Sequence, residues 1–467
     1  MTSAIETIAA WSHSANAFPP RARKRAIEAI ADTVGCMVAG VGDFSTQAVR
    51  RAVAAQISTS GESPVIGGGR APTATAALVN GTAAHALDYD DNFHPAISHA
   101  SAVMVPALLA AAAPLNISGE ALVDAYIVGL EAQAAVGAGV NPSHYTVGWH
   151  STSTCGAIGT AAGVARLVGL DAATTARVMS MAVSSAAGVK GQFGTPAKPF
   201  HAGMAARNAI EAAAFGSAGL TGRLDILEAP QGFRDLFGGP DATGWDGLKL
   251  GEPLVIEGHG VIPKRHPCCG STHSAADAML HLRSAHKLEP GRVAQIESWT
   301  HPRRLAHTNR PDPQSGLDGK FSIQYVLARS LMHGIVSLEH FGDDTVRDPA
   351  VRALMAKVHS LPDPNAKPDT ADHFYARVRV TTNGGESFEH FVDMPLGRDR
   401  NHPLPAGTLE AKFRDCAGLV LRPDCVDDLL AQCGRLETME DVAELIDDIA
   451  AGTIPAIEVV PSRHAHA

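Results

Sequence analysis

Between about Arg21 and Gly222 the chain carries apolar residues at the spacing of an α-helix, and most of those residues are small. The pattern is plain in segments 23–40, 170–188 and 200–219, whereas the alternation of apolar and polar residues that marks a strand is missing from them. Aromatic residues make up only 5% of the sequence. Small side chains let helix axes approach closely, so this region predicts a domain of closely packed helices.

The pattern changes after about residue 258, where segments with strand character appear among helices. Residues 292–301 have the composition of a strand, and the residues on both sides of the Asn-Gly-Gly turn at 383–385 alternate as in a β-hairpin. Residues 322–334 and 348–360 carry helical patterns between these strands. After the hairpin the helical pattern returns, so the strand-containing segment is predicted to be an insertion.

The predicted fold class is therefore mainly α, a large all-helical domain with an inserted smaller α+β lid domain. We expect the all-helical domain to comprise residues 1–259 and 400–467, and the lid domain to comprise residues 260–399. The longest apolar run, residues 101–115, is broken by Pro106, and we interpret it as a buried helix rather than a membrane span.

Charge and cysteine content narrow the classes of function. The formal net charge is −10, which argues against a nucleic acid partner because phosphate binding needs a cationic surface. A small anionic substrate in a locally basic pocket is still compatible with this charge. The seven cysteines are odd in number and form no C-x-x-C pair, so we expect reduced thiols and a cytoplasmic protein.

The sequence has no Walker loop, no G-x-G-x-x-G after a strand and no H-E-x-x-H, so it shows no signature of a bound cofactor. Titratable residues are instead concentrated in one segment of 18 residues, 86–103, at Asp88, Asp90, Asp91, His94 and His99. Asp88 and Asp91 have the spacing of one helix face, and with the two histidines they offer ligands for a divalent ion. Because nothing completes a closed ligand set, we expect no metal. Acids at a helix C-terminus oppose the helix dipole, so their presence here suggests a functional role.

Three further segments combine glycine with basic or titratable residues next to a predicted helix start. They contain His150, then Lys198 and His201, and then Lys264, Arg265, His266 and His273. The start of a helix favours an anion because its first backbone N–H groups are unpaired. If these segments converge on segment 86–103, they form a basic pocket that suits a polycarboxylate.

Four segments, in order, resemble the MmgE/PrpD family. They are HALDYDDNFHPAISHASAVMVPALLA at 85–110, GWHSTSTCGAIGTAAGVARLVGL at 148–170, KPFHAGMAARNAIEAA at 198–213 and KRHPCCGSTHSAADA at 264–278. The resemblance extends from about residue 5 to residue 455. It implies a cofactor-free enzyme with a large all-helical domain and a smaller α+β lid, usually as a homodimer. The family includes 2-methylcitrate dehydratase, cis-aconitate decarboxylase and iminodisuccinate epimerase.

The resemblance also implies the site residues. The expected catalytic residues are Asp88, His99, His150, Lys198, Lys264 and Tyr325. The residues expected to contact the substrate are Asn92, His94, His201, Arg265 and Cys269. Asn92 departs from the family, which often has Thr at that position, and the Glu-Trp-Gly-His run of 2-methylcitrate dehydratases is missing.

The chemistry shared by the family is removal or delivery of a proton at a carbon next to a carboxylate. His99 and His150 are the expected base and acid, in an order that the sequence leaves open, because imidazole titrates near neutrality. Lys198 and Lys264 are expected to hold carboxylates, and Asp88 to orient a histidine. The predicted function is a lyase that dehydrates or decarboxylates a small di- or tricarboxylate. The alternatives are an epimerase of a substituted succinate such as iminodisuccinate, and a carboxylate-binding protein without catalytic activity.

Overall fold

The computed structural model of the chain describes residues 2–258, 260–366, 374–398 and 401–451. The chain forms two compact units: unit 1 runs from the start to Pro263 and resumes at Leu409, and unit 2 runs from Lys264 to Thr408. Residues 399 and 400, where the sequence predicted the second domain boundary, lie outside the described residues.

Unit 1 is built almost entirely of helices. Its helices are α1 (Ala4–Ser14), α2 (Pro20–Ala39), α3 (Phe44–Ala52), α4 (Thr73–Ala86), α5 (Ser101–Ala112), α6 (Gly119–Ala138), α7 (Ser143–Val147), α8 (Thr154–Leu167), α9 (Ala172–Ser184), α10 (Ala197–Ser217) and α11 (Phe233–Phe237). Three more follow unit 2 in the chain: α18 (Thr408–Ala417), α19 (Pro423–Gly434) and α20 (Ala443–Ala451). The described residues of unit 1 contain four strands of two residues each, and they are β1 (Ser63–Pro64), β2 (Arg70–Ala71), β3 (Asn92–Phe93) and β4 (Val261–Ile262).

Small residues bring the central helices of unit 1 into close contact, as the sequence predicts. A Cβ atom at Gly81 of α4 would lie only 3.0 Å from the Cα of Gly203 of α10. A Cβ atom at Gly163 of α8 would lie 3.0 Å from the carbonyl oxygen of Ala125 in α6. These backbones therefore touch, and a larger side chain at either glycine would separate the helices.

Helix α6 is long and apolar enough to cross a membrane by length and composition alone, and 83% of its apolar window is buried inside the structure. It lies among α8, α5 and α2, where its apolar residues belong to the core of unit 1. Helix α5 is the buried helix that the sequence predicts at residues 101–115, and it includes Pro106.

Unit 2 combines a four-stranded sheet with six helices among its described residues. The helices are α12 (His273–His286), α13 (Pro302–Thr308), α14 (Gly316–Gly319), α15 (Ile323–His333), α16 (Asp343–Val346) and α17 (Pro349–Met355). The strands are β5 (Val293–Thr300), β6 (Val358–Pro362), β7 (Ala376–Thr382) and β8 (Ser387–Val392), in the spatial order β6-β5-β7-β8.

The predicted strand at 292–301 and the predicted hairpin are both present, as β5 and as the antiparallel pair β7 and β8. The prediction of one helix over residues 348–360 is wrong in its second half. Helix α17 ends at Met355, and Val358–Pro362 form β6, which pairs in parallel with β5. The sheet supplies backbone hydrogen-bond partners to this segment, and that tertiary contact outweighs the local helical pattern.

Candidate active site

The loop between α4 and α5 carries the acids and histidines of the candidate site. Helix α4 ends at Ala86, so Asp88 and Asp91 lie in the loop, and the prediction that they share a helix face is wrong. Asp88 has a φ of 52° and Ile97 a φ of 49°, both in the left-handed region. That conformation is strained for a β-branched residue, and such strain is often found where a loop holds functional side chains in fixed directions.

His85, Asp90 and His99 form a hydrogen-bonded triad around one carboxylate. The Oδ2 atom of Asp90 accepts the Nδ1–H of His85 at 2.9 Å and lies 3.3 Å from Nδ1 of His99. The two imidazole rings have centroids 4.7 Å apart. Burial acts to raise the pKa of Asp90, but the two histidines outweigh burial and hold that pKa well below its usual range. Asp90 is therefore a buried anion that stabilises positive charge on a neighbouring imidazole.

His99 is held in one tautomer. Its Nδ1–H donates to the carbonyl oxygen of Asp91 at 2.7 Å, and its backbone N–H donates to Oγ1 of Thr152 at 3.0 Å. Because a carbonyl oxygen can only accept, the Nδ1 atom carries the proton and Nε2 is left to meet a substrate. The side chain of His99 is 17% exposed, whereas those of His85 and Asp90 are fully buried. His99 is thus the member of the triad that reaches outward.

The carboxyl group of Asp91 anchors the start of α5. It accepts a hydrogen bond from the hydroxyl of Ser101, which also lies 2.6 Å from the hydroxyl of Tyr126. Burial raises the pKa of Asp91 to about 7. Asp91 therefore differs from Asp90 in charge and in role, since its carboxyl group fixes the loop to the helix and its carbonyl group fixes His99.

Lys198 and Asp88 form a buried ion pair. Lys198 lies inside the first turn of α10, not before it as the sequence predicts, and its Nζ atom is 2.6 Å from Oδ1 of Asp88. The two side chains are 7% and 6% exposed. An ammonium group has three N–H donors, so the pair leaves donors on Lys198 for a substrate carboxylate. Asp90 contacts His85 and His99, and the prediction that Asp88 orients a histidine stays a prediction.

His150 and His201 are joined by a hydrogen bond between their Nδ1 atoms, which are 3.1 Å apart. His150 is 1% exposed, and no described residue forms a hydrogen bond with its Nε2 atom. Its ring stacks at 5.9 Å on that of His85 and meets the edge of Phe193 at 4.8 Å. Burial, followed by the nearby charges of His85 and Lys198, holds the pKa of His150 well below its usual range. His150 is therefore a neutral imidazole in the folded protein.

Asn92 and His94 lie in the middle of the same loop. Asn92 is in β3, which pairs antiparallel with β4, and the backbone N–H of His94 donates to the carbonyl oxygen of Gly260 at 3.3 Å. Both side chains are half-buried. This pairing fixes the backbone of the loop, and contact of either side chain with a substrate stays a prediction.

The remaining predicted site residues lie in unit 2. Lys264 is 2% exposed, and Arg265 forms an ion pair of 2.5 Å with Asp277, which also accepts a hydrogen bond from Nε2 of His266 at 3.0 Å. Cys269 is half-buried, and its backbone N–H donates to the carbonyl oxygen of Lys320. Within unit 2, Arg265 and His266 thus both contact the Asp277 carboxylate.

Tyr325 lies in the core of unit 2 with 0% exposure. Its hydroxyl donates to the carbonyl oxygen of His340 and accepts a hydrogen bond of 2.9 Å from Nε of Arg329. This environment is that of a core tyrosine whose hydroxyl is satisfied by the protein. The predicted catalytic role of Tyr325 is therefore not carried into the mechanism proposed below.

The His85, Asp90 and His99 side chains also offer three possible metal ligand atoms within 4.8 Å of one another. Ligand atoms on a zinc ion lie at about 2.0–2.2 Å from it, which keeps two tetrahedral neighbours about 3.3 Å apart. The 2.9 Å between His85 and Asp90 is instead the length of a direct hydrogen bond. In this arrangement the two imidazoles share Oδ2 of Asp90, whereas Oδ1 of Asp90 and Nε2 of His85 form no hydrogen bond with a described residue.

His85, Asp90 and Asp91 are not among the catalytic and substrate-contacting residues that the resemblance implies. The sequence shows the D-x-D-D spacing, but which of these acids contacts a given histidine depends on the backbone conformation of the loop, which is left-handed at Asp88. His85 lies in the last turn of α4, five residues before Asp90, and this spacing is the signal that the sequence offers.

Comparison with known proteins identifies the family of the chain. Residues 6–245 match the MmgE/PrpD N-terminal domain, and residues 266–433 match the MmgE/PrpD C-terminal domain. The chain belongs to the MmgE/PrpD family. Among similar MmgE/PrpD proteins, the cis-aconitate decarboxylase of Mus musculus is 30% identical over 394 residues, covering 80% of this chain and 78% of the relative. The cis-aconitate decarboxylase of Homo sapiens is 31% identical over 389 residues, covering 80% and 79%. That of Aspergillus terreus is 27% identical over 403 residues, covering 80% and 81%.

Proposed function

We propose that the chain is a cofactor-independent lyase, of the decarboxylase or dehydratase type, that acts on a small di- or tricarboxylate. The observation that carries the proposal is a group of four neighbouring histidines, two of which contact the buried Asp90 carboxylate, together with the buried Lys198 ammonium. The relatives named cis-aconitate decarboxylase support decarboxylation as the first reaction to test.

His99 is the proton donor of this mechanism. Asp90 stabilises the imidazolium form of His99, and its Nε2–H then points outward while Nδ1–H is held by the Asp91 carbonyl. In a decarboxylation the C–CO₂ bond breaks, CO₂ leaves, and the electron pair stays on the carbon skeleton. One proton from His99 completes the new C–H bond. In a dehydration the same proton goes to the leaving hydroxyl group.

His150 is the proton acceptor. It is neutral, and its Nε2 atom has no hydrogen-bond partner among the described residues, so a substrate C–H group can approach a lone pair there. Proton removal is needed for dehydration and for any migration of the double bond. The base, His150, therefore differs from the acid, His99, in its surroundings. The Asp90 carboxylate lies next to Nδ1 of His99, whereas the His201 imidazole lies next to Nδ1 of His150.

Lys198 holds a substrate carboxylate. Removing a proton next to a carboxylate builds negative charge on that group, and a fixed ammonium in a buried site stabilises it. Asp88 keeps Lys198 in place and balances part of its charge when no substrate is bound. The further prediction that Lys264 binds a carboxylate stays a prediction.

The test is a screen of citrate-, aconitate-, malate- and aspartate-like acids for thermal stabilisation, followed by proton NMR in heavy water on each acid that stabilises the protein. We expect either that cis-aconitate or a close analogue loses CO₂ and takes up one deuterium at carbon, or that an acid with a hydroxyl group loses water and forms an alkene. A binding protein would be stabilised without turnover, and an epimerase would exchange the α-proton while every group is retained.

Variants connect the activity to the site. We expect His99→Ala and His150→Ala each to lower kcat by about 10²–10⁴-fold, because each removes one proton-transfer group. His13→Ala is the matched control, since His13 is exposed and its ring lies against the carbonyl oxygen of Leu170. Near-full activity in both site variants would end the proposal.

A further inference from the structure

We infer that His201 acts as a proton relay for His150 and carries the positive charge that His150 cannot hold. The inference rests on the proposed function, in which Nε2 of His150 exchanges a proton with a substrate carbon. It goes beyond that proposal because it assigns His201 a role through His150 rather than in contact with the substrate.

The first observation is the contact itself. The two Nδ1 atoms are 3.1 Å apart, and a contact of that length between imidazole nitrogens needs one proton between them. When that proton is on His150, its Nε2 atom carries a lone pair and is a base. His201 then accepts at Nδ1, and Nε2 of His201 carries that ring's own proton.

The second observation is the difference in surroundings between the two rings. His150 is 1% exposed and is faced by His85 from α4, His99 from the α4–α5 loop, and Lys198 and His201 from α10. None of these groups is an anion. His201 is half-buried. A positive charge on His201 is therefore partly solvated by water, whereas one on His150 would be enclosed among basic groups.

The pKa shifts agree in direction with this difference. Burial, with Lys198 nearby, lowers the pKa of His201 below its usual range. The pKa of His150 is lowered much further, by burial and then by the four basic groups around it. Of the two rings, His201 is the easier one to protonate.

The relay moves two protons in one step. The substrate C–H bond breaks, its proton binds to Nε2 of His150, and its electron pair stays on the substrate carbon. In the same step the Nδ1 proton of His150 moves to Nδ1 of His201. His150 is neutral before and after, with its proton moved from Nδ1 to Nε2, and His201 becomes an imidazolium. Delivery of a proton from His150 to carbon is the same sequence in reverse.

The position of His201 is fixed by the backbone around it. Gly188 has a φ of 113°, and a Cβ atom there would lie 3.3 Å from Nδ1 of His201 and 3.0 Å from the Cβ of Ser153. The carbonyl oxygen of Gly188 accepts the backbone N–H of His150 at 3.0 Å. Glycine at this position thus allows the two rings to approach each other.

The experiment is chemical rescue of His201→Ala. We expect this variant to fold, since α10 is rich in alanine, and to lose about 10²-fold in kcat with little change in KM. Added imidazole should restore a large part of kcat in a saturable way. Added 1,2,4-triazole, a ring of similar size that is not a base near neutrality, should not. Asn208→Ala, on the same helix and bonded to the carbonyl oxygen of Ser185, is the control and should respond to neither azole.

Equal rescue by both azoles would show that His201 only fills space and would overturn the inference, as would wild-type kcat in His201→Ala. If that variant does not fold, His201→Gln, which accepts a hydrogen bond but takes up no proton, should show the same loss of kcat, and wild-type kcat there would also overturn the inference. Loss of activity in the wild-type protein on every acid would instead defeat the proposed function. In that event, NMR of ¹⁵N-labelled histidines decides, because the relay requires His201 to become protonated at a pH where His150 is still neutral.

Discussion

The ammonium group of Lys412, in α18, donates a 2.7 Å hydrogen bond to the carbonyl oxygen of Tyr89, which lies between the two acids Asp88 and Asp90. The same ammonium lies 2.8 Å from a carboxylate oxygen of Asp32 in α2. All of these groups are buried. A helix more than three hundred residues further along the chain therefore holds the backbone of the candidate active-site loop.

The first prediction concerns this contact. Lys412→Met leaves the Asp32 carboxylate buried without its cation, and we expect a loss of about 3–5 kcal/mol in the free energy of unfolding. The double variant Lys412→Met with Asp32→Asn removes both charges and should recover a large part of that loss. Urea unfolding measures both effects. The contact also implies that Lys412 positions the active-site loop. A double variant that has regained stability but keeps wild-type kcat would contradict that role.

The second prediction concerns Asp90. Asp90→Asn keeps the shape of the side chain but removes the charge that stabilises an imidazolium at His99, so kcat should fall by about 10²–10⁴-fold. Steady-state kinetics with the substrate found in the screen gives the measurement. Asp171→Asn is a matched control because Asp171 only caps the start of α9. A fall in kcat equal to that of the control would contradict the triad.

The third prediction separates binding from stability at the Lys198–Asp88 pair. Lys198→Met should both destabilise the protein, by removing the ammonium that pairs with the buried Asp88 carboxylate, and lower kcat/KM. Adding Asp88→Asn should recover much of the stability but not kcat/KM, because the substrate still lacks its ammonium partner. Recovery of both quantities in the double variant would show that Lys198 acts only on the fold.

The fourth prediction concerns pH. The pKa of Asp91 is raised to about 7 in the folded protein, so between about pH 4 and pH 7 the folded state binds a proton that the unfolded state has released. This contribution to stability is full below the unfolded pKa and is lost as the pH rises through 7. The free energy of unfolding of the wild type relative to Asp91→Asn should therefore be larger at pH 5 than at pH 7.5. A difference that is equal at both pH values, or larger at pH 7.5, would refute the raised pKa.

Several elements were predictable from local pattern alone. The helices of unit 1 follow from small apolar residues at helical spacing, and β7 and β8 follow from alternation around an Asn-Gly-Gly turn. Helix α17 was predicted too long, because pairing of Val358–Pro362 with β5 is a contact between distant parts of the chain. A local pattern carries no information about such a partner.

The sequence by itself determined that the chain is mainly helical, that it belongs to the MmgE/PrpD family, and that segment 86–103 concentrates the titratable groups. Only the tertiary structure decided which acid meets which base. Asp90 contacts His85 and His99, whereas Asp88, which has a left-handed backbone, pairs with Lys198. Burial then helps to decide which acids and imidazoles carry a charge. The burial of each group depends on the packing of helices that lie far apart in the chain.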